Sequence, residues 1–147
     1  MKNQTLLIRK PLVSDCRHVF ELVNQLKTHP LPYEPFERIF IRNLNQEHIH
    51  YFVADNEGQL VGFISLYFSE VLHHTRPVAE IIELVVDESY RSRSIGEMLL
   101  NASIEISRAF NCEVIEVSSN NARERAHHFY IRNGFGRTHA KLTMQLE

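Results

Sequence analysis

Between Glu83 and Leu100 the chain reads ELVVDESYRSRSIGEMLL: an apolar run, a polar turn, then an amphipathic run. The turn brings Arg91, Ser92, Arg93, Ser94, Ile95, Gly96 and Glu97 to the place where a helix should start. A helix start leaves four amide N–H groups without intrahelical acceptors and carries the positive end of the macrodipole. That combination holds an anion, phosphate above all. Arg91 and Arg93 could add charge-assisted hydrogen bonds, Ser92 and Ser94 could add hydroxyl donors, and Gly96 would let the anion approach the backbone. On spacing alone, a polar turn with a serine cap and solvated arginines accounts for the same residues. The turn lacks the Gly-Lys-Ser/Thr ending of a Walker loop and the three glycines of a dinucleotide fingerprint.

Two carboxylates lie just upstream. Glu80 and Glu83 interrupt the apolar run VAEIIELVV, and their odd spacing predicts opposite faces of a strand. A carboxylate on such a strand costs free energy unless it is paired or functional. For Glu83, a structural carboxylate bonded to a neighbouring strand is almost as good an account.

The elements that would position these groups can be read along the chain. TLLIRKP is a short strand closed by a proline. Ser14 or Asp15 then caps a helix carrying Cys16, Val19, Phe20, Val23 and Leu26 at helical spacing. THPLPYEP is a loop, and a second helix follows from about Phe36 to Asn45. A hairpin turns at Asp55–Gly58, and VAEIIELVV is a strand expected at the centre of the sheet. The next helix should bury Ile95, Met98, Leu99, Ala102, Ile106, Ala109 and Phe110, with Asn111 as a left-handed cap. CEVIEVSS is a strand, Asn121 with Glu124 reads as a capping box, and the helix so begun stops at Gly134. GFGRTHAKLTMQL adds one or two strands. The order β-α-α-β-β-β-α-β-α-β, with one further strand allowed, predicts an α/β protein: a mixed, mostly antiparallel sheet with helices on both faces.

Composition bounds the reading. The 147 residues suffice for one domain, 1–147, and are too few for two. A formal net charge of -2 gives no general attraction to nucleic acid or anionic membrane. The start MKNQTLLIRKPLVSD has no signal-peptide run and no later segment is apolar enough to span a bilayer, so a cytoplasmic location is expected. Cys16 and Cys112 form no CxxC pair and read as small buried side chains.

The strand, turn and helix from IIELVVDESY through RSRSIG to EMLLNASIEISRAF resemble the acetyl-CoA-binding motif of the GNAT family of N-acetyltransferases. Its R/Q-x-x-G-x-G/A turn falls on Arg91, Ser94 and Gly96. NARERAHHFYIRNGF resembles the family's second motif, a helix ending in F-Y-x-x-x-G-F. The element order matches as well, so the likeness covers nearly the whole chain. One departure is Ser94, where the family's turn has its first glycine. Serine at a positive φ costs roughly 1 kcal/mol or more relative to glycine. A turn in the ordinary region, with the Ser94 hydroxyl on the pyrophosphate, is therefore expected.

The resemblance implies direct transfer of acetyl from acetyl-CoA to the amine of a small molecule. Glu80, ranked ahead of Glu83, matches the base used by histone-type members. Leu84, Val85 and Val86 would supply an oxyanion N–H beside a local bulge, and pantetheine would lie along that edge. Tyr130 would protonate the thiolate, being itself protonated at neutral pH. Ala126, Phe129 and Tyr130 also form one helical stripe of the kind that is usually core. Asn121, Ala126 and Phe129 would complete the cofactor contacts.

VLHHTRPVAEIIELVV, EVSSNNARERAHHFYIRNGF and the ending THAKLT further resemble bacterial aminoalkylphosphonate N-acetyltransferases, which depend on a divalent metal. His73, His74, Arg76 and His128 then become candidate acceptor-binding residues, with Arg38 or Arg42 on the second helix. His73 and His74 could ligate a metal if Glu80 lay close, although neighbouring strand residues point to opposite faces. Polyamine, amino-acid or peptide amines are alternative acceptors, a non-catalytic acetyl-CoA sensor is an alternative function, and the resemblance allows a homodimer.

Overall fold

The computed structural model describes residues 6–119 and 123–147. In chain order its elements are β1 (Leu6–Arg9), a 3-10 turn (Val13–Asp15), α1 (Cys16–Asn24), α2 (Tyr33–Asn43), β2 (Ile49–Asn56) and β3 (Gln59–Glu70). There follow β4 (Pro77–Val86), a second 3-10 turn (Glu88–Tyr90), α3 (Ile95–Ala109), β5 (Ile115–Val117) and α4 (Glu124–Arg132). The strands lie side by side in sequence order, antiparallel from β1 to β4, with β5 parallel to β4. β3 is thus the middle strand. β4 lies one place off centre, bonded to a neighbour on each side over part of its length.

Alternation along the strands divides the sheet into two apolar faces. Ile64, Leu66 and Ile81 pack with Leu99 and Leu100 of α3 and with Tyr130 of α4. Val53, Phe63 and Val85 pack with Val19 of α1 and Phe40 of α2. Each fully buried aliphatic side chain contributes about 1.5–3 kcal/mol by leaving water. α3 sits very close to β3, because a Cβ on Gly62 would lie 2.9 Å from Leu99 Cδ1 and 3.2 Å from Ile95 Cγ2.

Four local expectations need correction. α2 starts at Tyr33 rather than Phe36, since Pro35 falls in the first turn, where its missing N–H has no bond to lose. Asp15 does not cap helix amides; its carboxylate accepts the Leu12 N–H at 2.7 Å and two bonds from the Arg9 guanidinium. α3 buries Ser103 and Ser107, while Met98, Ala109 and Phe110 are exposed. Both serine hydroxyls donate to carbonyls one turn back, Leu99 O and Ser103 O, so small polar residues can face the sheet. After α4, the residues expected to form a closing strand are neither strand nor helix. The left-handed Asn111 (φ 60) and the helix stop before Gly134 (φ 97) are as expected.

Candidate active site

The local geometry of β4 decides where chemistry can occur. Ser65 of β3 lies opposite Glu83, but the next pair is Leu66 with Ile81, so Ile82 is an extra residue on β4. This bulge shifts the alternation by one. Glu80 pairs with Tyr67 and Glu83 with Ser65, and those two β3 residues are two apart, hence on one face. The two glutamates therefore share a face, contrary to what their spacing predicts in a regular strand. It is the face covered by α1 and α2. The bulge also lies earlier than expected, since Leu84, Val85 and Val86 remain in register with Ile64, Phe63 and Gly62.

β5 pairs with β4 only through Ala79, Glu80 and Ile81. From Ile82 to Val86, no strand lies on the β5 side of β4 among the described residues. Main-chain groups on that side are open to an extended ligand, much as a sheet edge takes an added strand.

Ser65 has no exposed surface, and its hydroxyl is fixed at Glu83 from two directions. It donates to Glu83 Oε1 and accepts the Glu83 main-chain N–H at 3.0 Å. One strand further, Tyr51 stands opposite Ser65, and its phenol oxygen accepts the buried Asn43 Nδ2 at 2.8 Å. Burial pushes the Tyr51 phenol up to about 12, and Glu83 adds to the rise. No hydrogen bond or ion pair holds Glu80 among the described residues, and Glu116 of β5 stands opposite it. Sequence reasoning missed Ser65 and Tyr51. The signal was a serine inside the apolar run LVGFISLYF.

The turn after β4 differs from expectation. Ser92 (φ 65) and Ser94 (φ 64) both occupy the left-handed region, so Ser94 takes the conformation usual for glycine despite its Cβ. Ser94 is the N-cap of α3, yet its side chain caps no amide. Its carbonyl accepts the Met98 N–H at 3.1 Å, which starts the helix. The main-chain N–H groups of Ile95, Gly96 and Glu97 fall among those without an intrahelical acceptor. Arg91 Nε reaches Val86 O at 3.4 Å, and the Arg93 guanidinium lies 5.2 Å from the centre of the Tyr90 ring. Gly96 has a packing reason to be glycine: a Cβ there would lie 3.3 Å from Phe129 Cε2. α4 is thereby seated on the first turn of α3, with Arg132 3.9 Å from Glu97.

Tyr130 is buried against Phe129 and Phe135, at ring-centre distances of 5.2 and 5.3 Å. Burial raises its phenol to about 12, partly offset by Arg123. Ala126 and Phe129 pack on the same core. Asn121 and its capping box lie outside the described residues.

Of the expected acceptor-binding residues, His74 and Arg76 are engaged at the start of β4. His74 Nδ1 is 2.6 Å from Glu113, and Arg76 bonds Asn111 and Cys112, so both tie the start of β4 to the α3–β5 loop. The His73 ring lies against His74. Arg76 precedes Glu80 by four residues, on the order of 13 Å along a strand. His128 is exposed beside Glu124, His127, Ile131 and Arg137; two residues from Tyr130, it lies on the opposite side of α4. Among the described residues no group of three His, Cys, Asp or Glu side chains could hold a metal ion. His73, His74 and Glu80 therefore do not form the ligand set expected from sequence. No described helix is long and apolar enough to cross a membrane, and burial raises both cysteine thiols.

The sequence model of the Acetyltransferase (GNAT) family matches residues 16–135, from α1 through α4. The chain belongs to this family. It is an acetyltransferase, and its family uses acetyl-CoA. A curated relative, the aminoalkylphosphonate N-acetyltransferase of Salmonella typhimurium, is 36% identical over 95% of this chain and 90% of its own. Among solved structures, an acetyltransferase of Trypanosoma brucei superposes with a TM-score of 0.82 at 27% identity, over 97% of this chain and 100% of that one. An aminoglycoside N-acetyltransferase in complex with CoA shares the fold, with a TM-score of 0.88 over 98% of this chain and 96% of that one, at 18% identity.

Proposed function

We propose that this acetyltransferase moves acetyl from acetyl-CoA to the primary amine of a small aminoalkylphosphonate, by direct attack in a ternary complex. The observation that carries the reading is the half of β4 from Ile82 to Val86, unpaired toward β5 among the described residues and followed, after the 3-10 turn, by the start of α3. Pantetheine lies along that edge, and the pyrophosphate meets the amides of Ile95, Gly96 and Glu97, with Arg91 and Arg93 beside them. The acetyl group then stops near Ile82, beside the face that carries both glutamates. The aminoalkylphosphonate acceptor rests on the Salmonella typhimurium relative.

The two glutamates divide the work. Glu83, held by Ser65, receives the ammonium form of the acceptor and orients it. Glu80, which no side chain restrains among the described residues, takes the proton and passes it to water. The freed nitrogen attacks the thioester carbon, and a main-chain N–H between Ile82 and Val86 stabilises the oxyanion. As the C–N bond forms and the C–S bond breaks, Tyr130 gives its proton to the thiolate, and the second proton shed by the attacking nitrogen restores the phenol, leaving a neutral amide and the free thiol. A phenol with a pKa near 12 is protonated throughout the working range.

A second acceptor class has an observation in its favour. Two carboxylates on one face, with His74 and Arg76 engaged elsewhere, suit an amine that carries further positive charge. Thiol release from acetyl-CoA, measured with 2-aminoethylphosphonate, spermidine, amino acids and a lysine peptide, with and without chelator, separates the classes. Saturable turnover on the aminophosphonate alone is the expected result. Turnover only on cationic amines would replace the acceptor, and none on any amine would remove the catalytic reading.

A further inference from the structure

α1 and α4 lie on opposite faces of the sheet. Val19, Leu22 and Val23 of α1 pack with Phe63 and Val85, while Ala126, Phe129 and Tyr130 of α4 pack with Ile64, Leu66 and Ile81. One long side chain joins the two. Arg123, the residue before α4, reaches the end of α1 and donates from Nη2 to Leu26 O at 2.9 Å. Its own carbonyl accepts the His127 N–H at 3.1 Å, which fixes its main chain to the helix. Beside Leu26, Gln25 donates from Nε2 to Asp87 Oδ2 at 3.3 Å, just past β4. The end of α1 is thus tied both to the end of β4 and to the start of α4. Among the described residues, a link between the two faces has room where β4 lacks a neighbour, from Ile82 to Val86, past the end of β5 at Val117.

A lone carbonyl is a weak partner for an arginine. It takes one donor of a planar fork whose geometry matches the paired oxygens of a phosphonate or carboxylate. Among the described residues no carboxylate pairs with Arg123, whereas Arg9 is held by Asp15 and Asp55, and Arg132 stands near Glu97. Arg123 is exposed, so a ligand can reach it. Its charge is also felt at the Tyr130 phenol, where it partly offsets the rise caused by burial. Arg123 therefore stands at the reacting end of the site, and Glu80 and Glu83 bring the opposite charge from the face that α1 covers.

We propose that Arg123 binds the phosphonate of the acceptor and thereby selects amines that carry an anionic group. This role rests on the acetyl-transfer reading above and deepens it. The phosphonate displaces the neutral Leu26 carbonyl, because charge-assisted bonds to an anion are the stronger ones. The ammonium end, two carbons away, meets Glu83. A zwitterionic amine satisfies both ends at once. A polyamine sets a second cation against Arg123 and is disfavoured there, which decides between the two acceptor classes.

The test compares 2-aminoethylphosphonate with n-propylamine, which has a methyl group where the first has its phosphonate. Steady-state kinetics on both amines, for wild type, Arg123→Gln and Arg123→Lys, are joined by a direct titration with acetyl-CoA. Arg123→Gln should lower the ratio of kcat/KM for the phosphonate to that for propylamine by about 10- to 100-fold, mainly through the amine KM, the scale of a lost charge-assisted pair. Arg123→Lys keeps the charge without the fork and should recover only part of the ratio. Methylphosphonate should compete with the amine in wild type and lose its grip in Arg123→Gln. An unchanged ratio in Arg123→Gln, with wild type active on the phosphonate, overturns the role of Arg123 and leaves the acceptor reading standing. A loss that falls equally on both amines, or on acetyl-CoA affinity, does the same. A wild type that acetylates propylamine but not the phosphonate removes the acceptor reading itself, and this inference with it.

Discussion

β4 is one strand with two halves. From Ala79 to Ile81 it is bonded on both sides, so there its main chain is taken up by the sheet. From Ile82 to Val86, β3 is the one strand paired with it among the described residues, although this half is apolar too. Side-chain composition does not separate the halves. What separates them is the brevity of β5 and one inserted residue, Ile82, which opens the β5 side and turns Glu83 onto the same face as Glu80. A strand can thus become a site through main-chain pairing while its sequence still reads as core.

That contrast can be broken most severely at its carboxylates. Glu80→Gln should lower kcat by about 10³-fold, within the span expected for a general base, with acetyl-CoA affinity unchanged in a direct binding titration. Tyr130→Phe should cost roughly 10²-fold in kcat, and its pH profile should match wild type below pH 10, because the wild-type phenol titrates only near 12. A new limb in that range would show that another group is the acid.

The contrast is sharpened by changes that leave both glutamates in place. Ser65→Ala removes the hydroxyl that joins the Glu83 carboxylate to its main-chain N–H; about 1–3 kcal/mol of stability should be lost, read from denaturant midpoints. The amine KM should rise more than kcat falls, since orientation suffers rather than proton transfer. The smallest effect should come from Ser94→Gly. With Ser94 left-handed and capping nothing, glycine should stabilise the turn by about 1 kcal/mol and leave acetyl-CoA affinity equal or improved. Weaker binding would restore a role for the hydroxyl.

Much of this fold was legible because its signals are local. The apolar run of β4, the turn of β2–β3 and the F-Y-x-x-x-G-F helix end each depend on residues close in sequence. The motif turn was legible as a turn but not in its conformation, because a serine in the left-handed region has no sequence signature apart from the glycine it replaces. The shared face of Glu80 and Glu83 was hidden for a different reason. A bulge is a property of two strands, and nothing in VAEIIELVV says which residue β3 will skip. Ser65 was hidden likewise, since its importance lies in being opposite Glu83. The engagement of His74 and Arg76 with the α3–β5 loop depends on contacts with residues more than thirty positions away.

The central claim is that β4 carries two carboxylates with different work, Glu80 in its paired half and Glu83 in its open half. Steady-state kcat and amine KM, measured on the best acceptor for wild type, Glu80→Gln and Glu83→Gln, test it most directly. The account predicts that Glu80→Gln loses most of kcat with the amine KM little changed, and that Glu83→Gln keeps most of kcat and raises the amine KM. Loss of most of kcat in Glu83→Gln, with Glu80→Gln behaving as wild type, would contradict it.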